Sequence, residues 1–126
     1  MKSNNGINKK KIFVIDDDAA IRDVLISILE GEQYNAEAFS SGKMALEKAE
    51  KVKPDLILLD CYLPDENAER VIGKFREEID VDLPILLMSA HQQAFEVARR
   101  LALNDFLAKP FQLETVLQAV RKCLHG

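Results

Sequence analysis

Residues 56–60 read Leu-Ile-Leu-Leu-Asp, and this stretch decides the fold class. Pro54-Asp55 precedes it, and residues 61–64 (Cys-Tyr-Leu-Pro) follow it. Four consecutive apolar residues between proline-containing segments indicate a strand covered on both faces, at the centre of a parallel sheet. Asp60 then lies at the carboxyl end of the strand, where ligands bind in open α/β sheets. Taken alone, Asp60 is more simply interpreted as a cap of the next helix.

Length and composition limit the class of protein. The chain has 126 residues, enough for one domain with a single core. Its net charge of -4 argues against nucleic acid or an anionic membrane as a direct partner. No apolar run approaches the roughly 20 residues that span a bilayer, and the N-terminus lacks the apolar segment of a signal peptide. Cys61 and Cys123 have no metal-ligand spacing, so we expect reduced thiols in a cytoplasmic protein.

Apolar runs alternate with amphipathic segments five times along the chain. Strands are predicted at 12–15, 34–39, 56–60, 85–89 and 105–108. Helices are predicted from apolar faces within 21–29, 44–49, 66–79, around 94–101 and within 113–120, and the third helix is expected to span 66–78. Residues 1–9 are polar and predict a flexible arm before a single domain at 10–126. Short connections between strands and helices favour parallel strands with right-handed crossovers, in an α/β doubly wound sheet.

Local signals predict how some of these elements begin and end. Asp18 is expected to cap the first helix rather than to bind metal, and Gly31 is expected to end that helix. Ser40 or Ser41 can cap the second helix. The alternation of small or apolar with polar residues over 34–39 is typical of a half-exposed edge strand.

Polar side chains follow four of the five predicted strands: Asp16 and Asp17, then Asp60, Ser89 and Lys109. In a parallel sheet, all of them project toward the same edge. Two carboxylates about 4 Å apart repel by roughly 4 kcal/mol at an effective dielectric constant near 20, so three of them require a cation. Carboxylate oxygens suit Mg²⁺ or Mn²⁺. A lysine and a hydroxyl opposite such a cation are suited to hold a phosphoryl group.

In order and spacing, these residues resemble the receiver domain of two-component response regulators. The resemblance covers residues 11 to about 124, and it implies a flavodoxin-like sheet of order 2-1-3-4-5 flanked by five helices. The matching positions are Asp16-Asp17, Asp60 with Pro64 four residues later, Ser89-Ala90, and Phe106 followed by Lys109-Pro110-Phe111.

The resemblance implies a phosphoacceptor and a metal site. Asp60 would take a phosphoryl group from the phosphohistidine of a histidine kinase or phosphotransfer protein. Asp16 or Asp17, with Asp60 and the backbone carbonyl of Tyr62, would bind Mg²⁺. The domain would then be a signalling domain that assists its own phosphorylation and dephosphorylation, and not an enzyme in its own right.

The resemblance also implies a switch. Lys109 would pair with the phosphoryl oxygens, Ser89 would hydrogen-bond one of them and move, and Phe106 would follow. The surface formed by the last helices and strand would change, for a downstream target, an output domain or a homodimer through the last two helices. The Lys109-Pro110 peptide is expected to be cis.

Several positions depart from the family pattern or flank the acceptor. Asn67-Ala68 stands where Asp-Gly is usual, which predicts an altered loop with Asn67 in the left-handed conformation. Leu103 is bulkier than usual and is expected to reshape the nearby interaction face. Tyr62 and His91 are placed to flank the path of an attacking water, and we expect Tyr62 to lengthen the phosphorylated lifetime.

Other interpretations remain open at this stage. Residues 13–18 also fit the start of haloacid-dehalogenase-type phosphatases, with Asp16 as the nucleophile and Asp60 incidental. A degenerate receiver that binds partners without taking phosphate is a second alternative. Cys61, next to the acceptor, is interpreted as a packing residue rather than a redox sensor, because no feature of the sequence marks a depressed thiol pKa.

Overall fold

The computed structural model describes residues 9–90, 96, 99–100, 103 and 106–125. Five strands form one parallel sheet: β1 (Lys11–Ile15), β2 (Asn35–Phe39), β3 (Leu56–Asp60), β6 (Ile85–Ser89) and β7 (Phe106–Ala108). A separate antiparallel hairpin consists of β4 (Tyr62–Leu63) and β5 (Glu66–Asn67). The helices whose two ends both lie within the described residues are α1 (Ala19–Gly31), α2 (Gly42–Ala49), α3 (Ala68–Glu78) and α4 (Leu113–His125).

The strand order is β2-β1-β3-β6-β7, which confirms the doubly wound order 2-1-3-4-5 for the five strands of the main sheet. Four helices have both ends within the described residues. Glu96, Arg99 and Arg100, in the predicted helix around 94–101, are also helical. His91, the remainder of the predicted helix around 94–101, and residues 1–8 of the predicted arm at 1–9 fall outside the described residues. No helix within the described part of the chain is long and apolar enough to cross a membrane.

Burial of the central strands explains their continuous apolar sequence. Every residue of β3 and of β6 is buried. Alternate side chains of β3 enter two separate clusters: Ile57 and Leu59 pack on the side of α2 and α3, and Leu56 and Leu58 pack on the side of α1 and α4. A strand covered on both faces favours apolar residues at successive positions, because neither face meets water, and only the last residues of β3 and β6, Asp60 and Ser89, are polar.

The predicted helix ends are largely confirmed. The Asp18 carboxylate accepts hydrogen bonds from the backbone N–H groups of Ala20 and Ile21, at 2.9 and 3.4 Å. Gly31 is the last residue of α1. Of the two candidate serines, Ser41 caps α2, because its hydroxyl accepts from the Met44 N–H at 3.2 Å.

The loop after β3 corrects one prediction. Asn67 is extended (φ -102°), so the predicted left-handed conformation at this residue is wrong. Its side chain caps α3 by accepting from the Arg70 N–H at 3.1 Å, and an N-cap residue requires an extended backbone. The positive φ, 61°, falls on Asp65 in the hairpin turn. Helix α3 therefore begins at Ala68 rather than at Glu66.

Candidate functional site

Three carboxylates meet at the carboxyl ends of the adjacent strands β1 and β3. Asp16 follows β1, Asp60 ends β3, and Asp17 lies beside them, with one oxygen of each within 4.8 Å of the others. Asp16 is fully buried and Asp60 is 6% exposed, whereas Asp17 is exposed. The sheet therefore forces two acidic groups into an environment that normally excludes unpaired charge.

Lys109 reaches these acids from the end of β7. Its Nζ lies 2.7 Å from Oδ2 of Asp16 and 3.4 Å from Oδ2 of Asp60. The backbone N–H of Lys109 donates to the Ser89 carbonyl at 2.9 Å, which joins the ends of β6 and β7 beside the site. The Lys109-Pro110 peptide is cis, as the resemblance implied. One ammonium group thus contacts two buried carboxylates.

Backbone donors fix the other oxygens of these carboxylates. Oδ1 of Asp16 accepts from the Asp18 N–H at 2.9 Å, and Oδ1 of Asp60 accepts from the Tyr62 N–H at 3.1 Å. The Arg22 guanidinium donates to the Asp16 carbonyl at 2.8 Å. Sequence reasoning missed Arg22, whose only signal was its place in the first turn after the acidic run.

The electrostatics of the site follow from burial and crowding. Burial raises the pKa of the Asp60 carboxyl, and the charge of Asp16 adds to this rise, while the Tyr62 N–H and Lys109 oppose it. Burial alone would lower the pKa of Lys109. The hydrogen bond to Asp16 and the charges of Asp60 and Asp16 outweigh burial, so the Lys109 pKa is raised.

Comparison with known proteins identifies this arrangement. Residues 12–121 match the family model of the response regulator receiver domain. The chain belongs to this family. Among curated relatives, this receiver domain is 36% identical over 117 residues to the alkaline phosphatase synthesis transcriptional regulatory protein PhoP of Bacillus subtilis, covering 91% of the chain and 48% of PhoP. The chain spans about half the length of the curated relatives it matches.

Solved structures of receiver domains share the fold. The chain is similar to the non-phosphorylated HemR receiver domain of Leptospira biflexa, with 26% identity, a TM-score of 0.82 and coverage of 94% of this chain and 96% of that one. It is also similar to the response regulator TrrA of Thermotoga maritima in complex with Mg²⁺-BeF, with 29% identity, a TM-score of 0.81 and coverage of 91% and 99%.

The acidic cluster of the receiver domain fits a divalent cation. All three groups offer hard carboxylate oxygens, which Mg²⁺ and Mn²⁺ prefer. Burial and the charge of Asp16 raise the pKa of Asp60 despite the opposing effects of the Tyr62 N–H and Lys109, and a bound cation would favour the charged carboxylate. A cavity of about 460 Å³, lined in part by Asp17 and Tyr62, opens next to the cluster.

The remaining predicted residues surround the cluster. Ser89 is buried at the end of β6, and Phe106 is partly buried at the start of β7, against the apolar cluster on the side of α2 and α3. The Tyr62 side chain is 44% exposed. Cys61 is buried, and burial together with the charge of Asp60 raises its thiol pKa, which supports packing rather than redox chemistry.

Proposed function

We propose that this receiver domain takes a phosphoryl group on Asp60 from the phosphohistidine of a histidine kinase or phosphotransfer protein, with Mg²⁺, and thereby switches a partner-binding surface. One observation carries the proposal: Asp60 and a second buried acid, Asp16, lie at the same edge of the sheet, and a single lysine contacts both. Membership in the receiver family supports the same assignment.

The transfer requires a nucleophile and charge compensation. A carboxylate oxygen of Asp60 would attack phosphorus, and the P–N bond to the donor imidazole would break, its electron pair remaining on the nitrogen, which takes up a proton. Asp16, Asp17 and Asp60 are the residues that would hold Mg²⁺, with the Tyr62 carbonyl as a further ligand. The cation supplies neutralisation of charge on the transferred group. Lys109, 3.4 Å from Asp60, would pair with a phosphoryl oxygen.

A switch would follow the transfer. Ser89 is buried beside the backbone of Lys109, and we expect its hydroxyl to donate a hydrogen bond to a phosphoryl oxygen on Asp60. We assign Phe106 as the side chain that adjusts when Ser89 moves, because β6 and β7 are neighbouring strands in which Ser89 pairs with Ala108 and Phe106 pairs with Leu87. The changed surface would be read by a downstream protein, by an output domain or by a second copy through the last two helices.

Burial argues against the phosphatase alternative. Asp16 is fully buried, whereas Asp60 retains 6% exposure. A nucleophile must present an oxygen to its substrate, and Asp60 is the more accessible of the two buried acids. Asp60 is therefore the better acceptor.

The experiment locates the phosphoryl group directly. Protein treated with a small-molecule phosphodonor and Mg²⁺ is reduced with borohydride, which converts an acyl-phosphorylated aspartate to homoserine, and peptides are analysed by mass. We expect homoserine at 60 in the wild type and none in Asp60→Asn. Asp65→Asn, which removes an exposed acid from the same loop, should leave the yield unchanged. Homoserine at 16 would support the phosphatase. No modification, together with no response to beryllofluoride, would support the degenerate receiver.

A further inference from the structure

The side chain of Glu66 joins the hairpin after the acceptor strand to the beginning of α2. Its Oε1 accepts from the Gly42 N–H at 2.8 Å, and its Oε2 accepts from the Lys43 N–H at 2.9 Å. The first N–H groups of a helix have no partner within the helix, and its N-terminus favours negative charge. Ser41 satisfies a third N–H, that of Met44. Glu66 therefore completes the cap of a helix from which it is 23 residues distant in sequence.

Gly42 makes this close approach possible. A Cβ atom at position 42 would lie 2.8 and 2.9 Å from the two methyl groups of Val71, and 3.3 Å from Oε2 of Glu66. Real Cβ atoms essentially never come within 3.0 Å of another heavy atom. A side chain at this position would push α2 away from α3 and from the hairpin.

A short series of contacts leads from Glu66 to the acceptor. In the hairpin, Glu66 pairs with Leu63, and Asn67 pairs with Tyr62. The N–H of Tyr62 donates to Oδ1 of Asp60. Holding the second strand of the hairpin in place therefore holds the peptide group that orients the Asp60 carboxylate.

The segment before α2 contacts the other buried acid. The carbonyl of Phe39, the last residue of β2, accepts from the backbone N–H of Asp16 at 3.1 Å. Only Ser40 and Ser41 separate Phe39 from Gly42, where Glu66 is bound. The beginning of α2 is thus connected to the backbone of Asp16 on one side and to the hairpin that orients Asp60 on the other.

We propose that Glu66 is a positioning residue for the acceptor site: by binding the first two N–H groups of α2, it fixes Tyr62 and, through Tyr62, the carboxylate of Asp60. Glu66 acts through other residues and does not contact the reacting atoms. In its effect on phosphoryl transfer, this inference rests on the proposed function. Its effect on the position of Tyr62 and on Mg²⁺ binding does not require transfer.

Glu66→Gln tests the proposal with the least change in shape. The amide oxygen can still accept one N–H, but the NH₂ group faces a second N–H donor, so one hydrogen bond is lost. Residues that orient metal ligands from outside typically change metal affinity or activity by about 10–100-fold when they are replaced. We expect the Mg²⁺ dissociation constant, measured by calorimetric titration, to rise about tenfold. We also expect faster hydrogen exchange of the Tyr62 N–H in metal-free protein.

Ser41→Ala is the matched control for loss of helix capping. It removes a hydrogen bond from the same end of α2 and should lower the thermal midpoint, yet it leaves Glu66 in place. We expect its Mg²⁺ affinity to stay within twofold of the wild type. Gly42→Ala should weaken Mg²⁺ binding as Glu66→Gln does, and the double variant should lose no more than either single variant, because both changes break one contact.

Two results would overturn the positioning role. The first is a Glu66→Gln variant whose Mg²⁺ affinity and whose rate of hydrogen exchange at the Tyr62 N–H equal those of the wild type. The second is a Ser41→Ala variant that weakens Mg²⁺ binding as strongly as Glu66→Gln does. If Gly42→Ala does not fold, the comparison of Glu66→Gln with Ser41→Ala still decides. Wild-type protein that never gains a phosphoryl group contradicts the proposed function instead, and the titration and exchange measurements then decide on Glu66 alone.

Discussion

Replacing Lys109 by Met should destabilise the domain far more than the loss of an ordinary surface charge. The Lys109 side chain is 16% exposed, and its ammonium group contacts the carboxylates of Asp16 and Asp60. The whole side chains of these two acids, taken without their backbone atoms, are 0% and 8% exposed. Methionine retains much of the apolar stem and removes the charge. Two buried carboxylates are then left facing each other without the ammonium group that contacts both.

The structure sets the size of the effect. Carboxylate oxygens within 4.8 Å of each other repel by about 3.5 kcal/mol at an effective dielectric constant near 20. Removing one partner of a buried ion pair typically costs about 3–5 kcal/mol. We therefore expect the free energy of unfolding at pH 7 to fall by about 3–4 kcal/mol without divalent metal. For a chain of this length, the thermal midpoint should fall by about 10–15 °C.

Urea unfolding in the presence of a metal chelator measures this loss. Far-ultraviolet circular dichroism follows the transition, because the chain has no Trp whose fluorescence could report it. Lys53→Met is the control, because Lys53 forms an exposed ion pair with Asp80 at 2.7 Å and should contribute little to stability. Mg²⁺ should restore more stability to Lys109→Met than it adds to the wild type, because it supplies the missing positive charge. A variant of Lys109 that is as stable as Lys53→Met would refute the electrostatic account.

The loss should also depend on pH, with a definite sign. Burial and the charge of Asp16 raise the pKa of Asp60 in the folded protein, so the folded state holds this proton more tightly than the unfolded state does. Stabilisation from this group is therefore complete below the ordinary value of 3.8 and is lost as the pH rises through the folded value. Lys109→Met removes an influence that lowers this pKa. The stability difference between variant and wild type should thus narrow as the pH falls toward 3.8.

Three further substitutions give separate tests. Asp60→Asn should raise the free energy of unfolding at pH 7, because it removes a buried charge, and this gain should disappear toward acidic pH; a constant gain would contradict the raised pKa of Asp60. Tyr62→Asn should speed loss of the phosphoryl group, followed by mass spectrometry, because a smaller side chain admits water; an unchanged rate would rule out shielding by Tyr62. Asp65→Val should cost about 1–2 kcal/mol in urea unfolding, because φ is 61° there, whereas Asp65→Asn should be nearly neutral.

The sheet could be predicted from the sequence because its strands carry a strong signal. Strand β3 is apolar over Leu56–Leu59 and buried on both faces, so pattern and burial agree residue by residue. The edge strand β2 runs from an exposed first residue through three half-buried residues to the buried Phe39, so it is half-exposed as predicted, although its burial does not alternate residue by residue. Once parallel strands are inferred, the meeting of Asp16, Asp60 and Lys109 at one edge follows from topology, although Asp16 and Lys109 are 93 residues apart.

The loop after Asp60 could not be predicted in the same way. Two-residue strands leave no periodicity to detect, and either Asp65 or Asn67 could take a positive φ. The choice depends on which residue caps α3, and Asn67 takes that position. The contact of Glu66 with Gly42 was equally hidden, because a carboxylate that caps a distant helix resembles any surface glutamate in sequence.

The balance of charge in the site links its stability to its chemistry. One ammonium group faces two buried carboxylates, with a third carboxylate at the surface, so the cluster retains a net negative charge. A phosphoryl group would add further negative charge to the same space, which is unfavourable unless a cation is bound first. Any variant that increases the uncompensated negative charge should therefore have a lower free energy of unfolding without metal. The same variant should gain more free energy of unfolding from Mg²⁺ than the wild type gains. A variant that loses stability without metal but gains no more from Mg²⁺ than the wild type would show that Asp16, Asp60 and Lys109 do not act as one electrostatic unit.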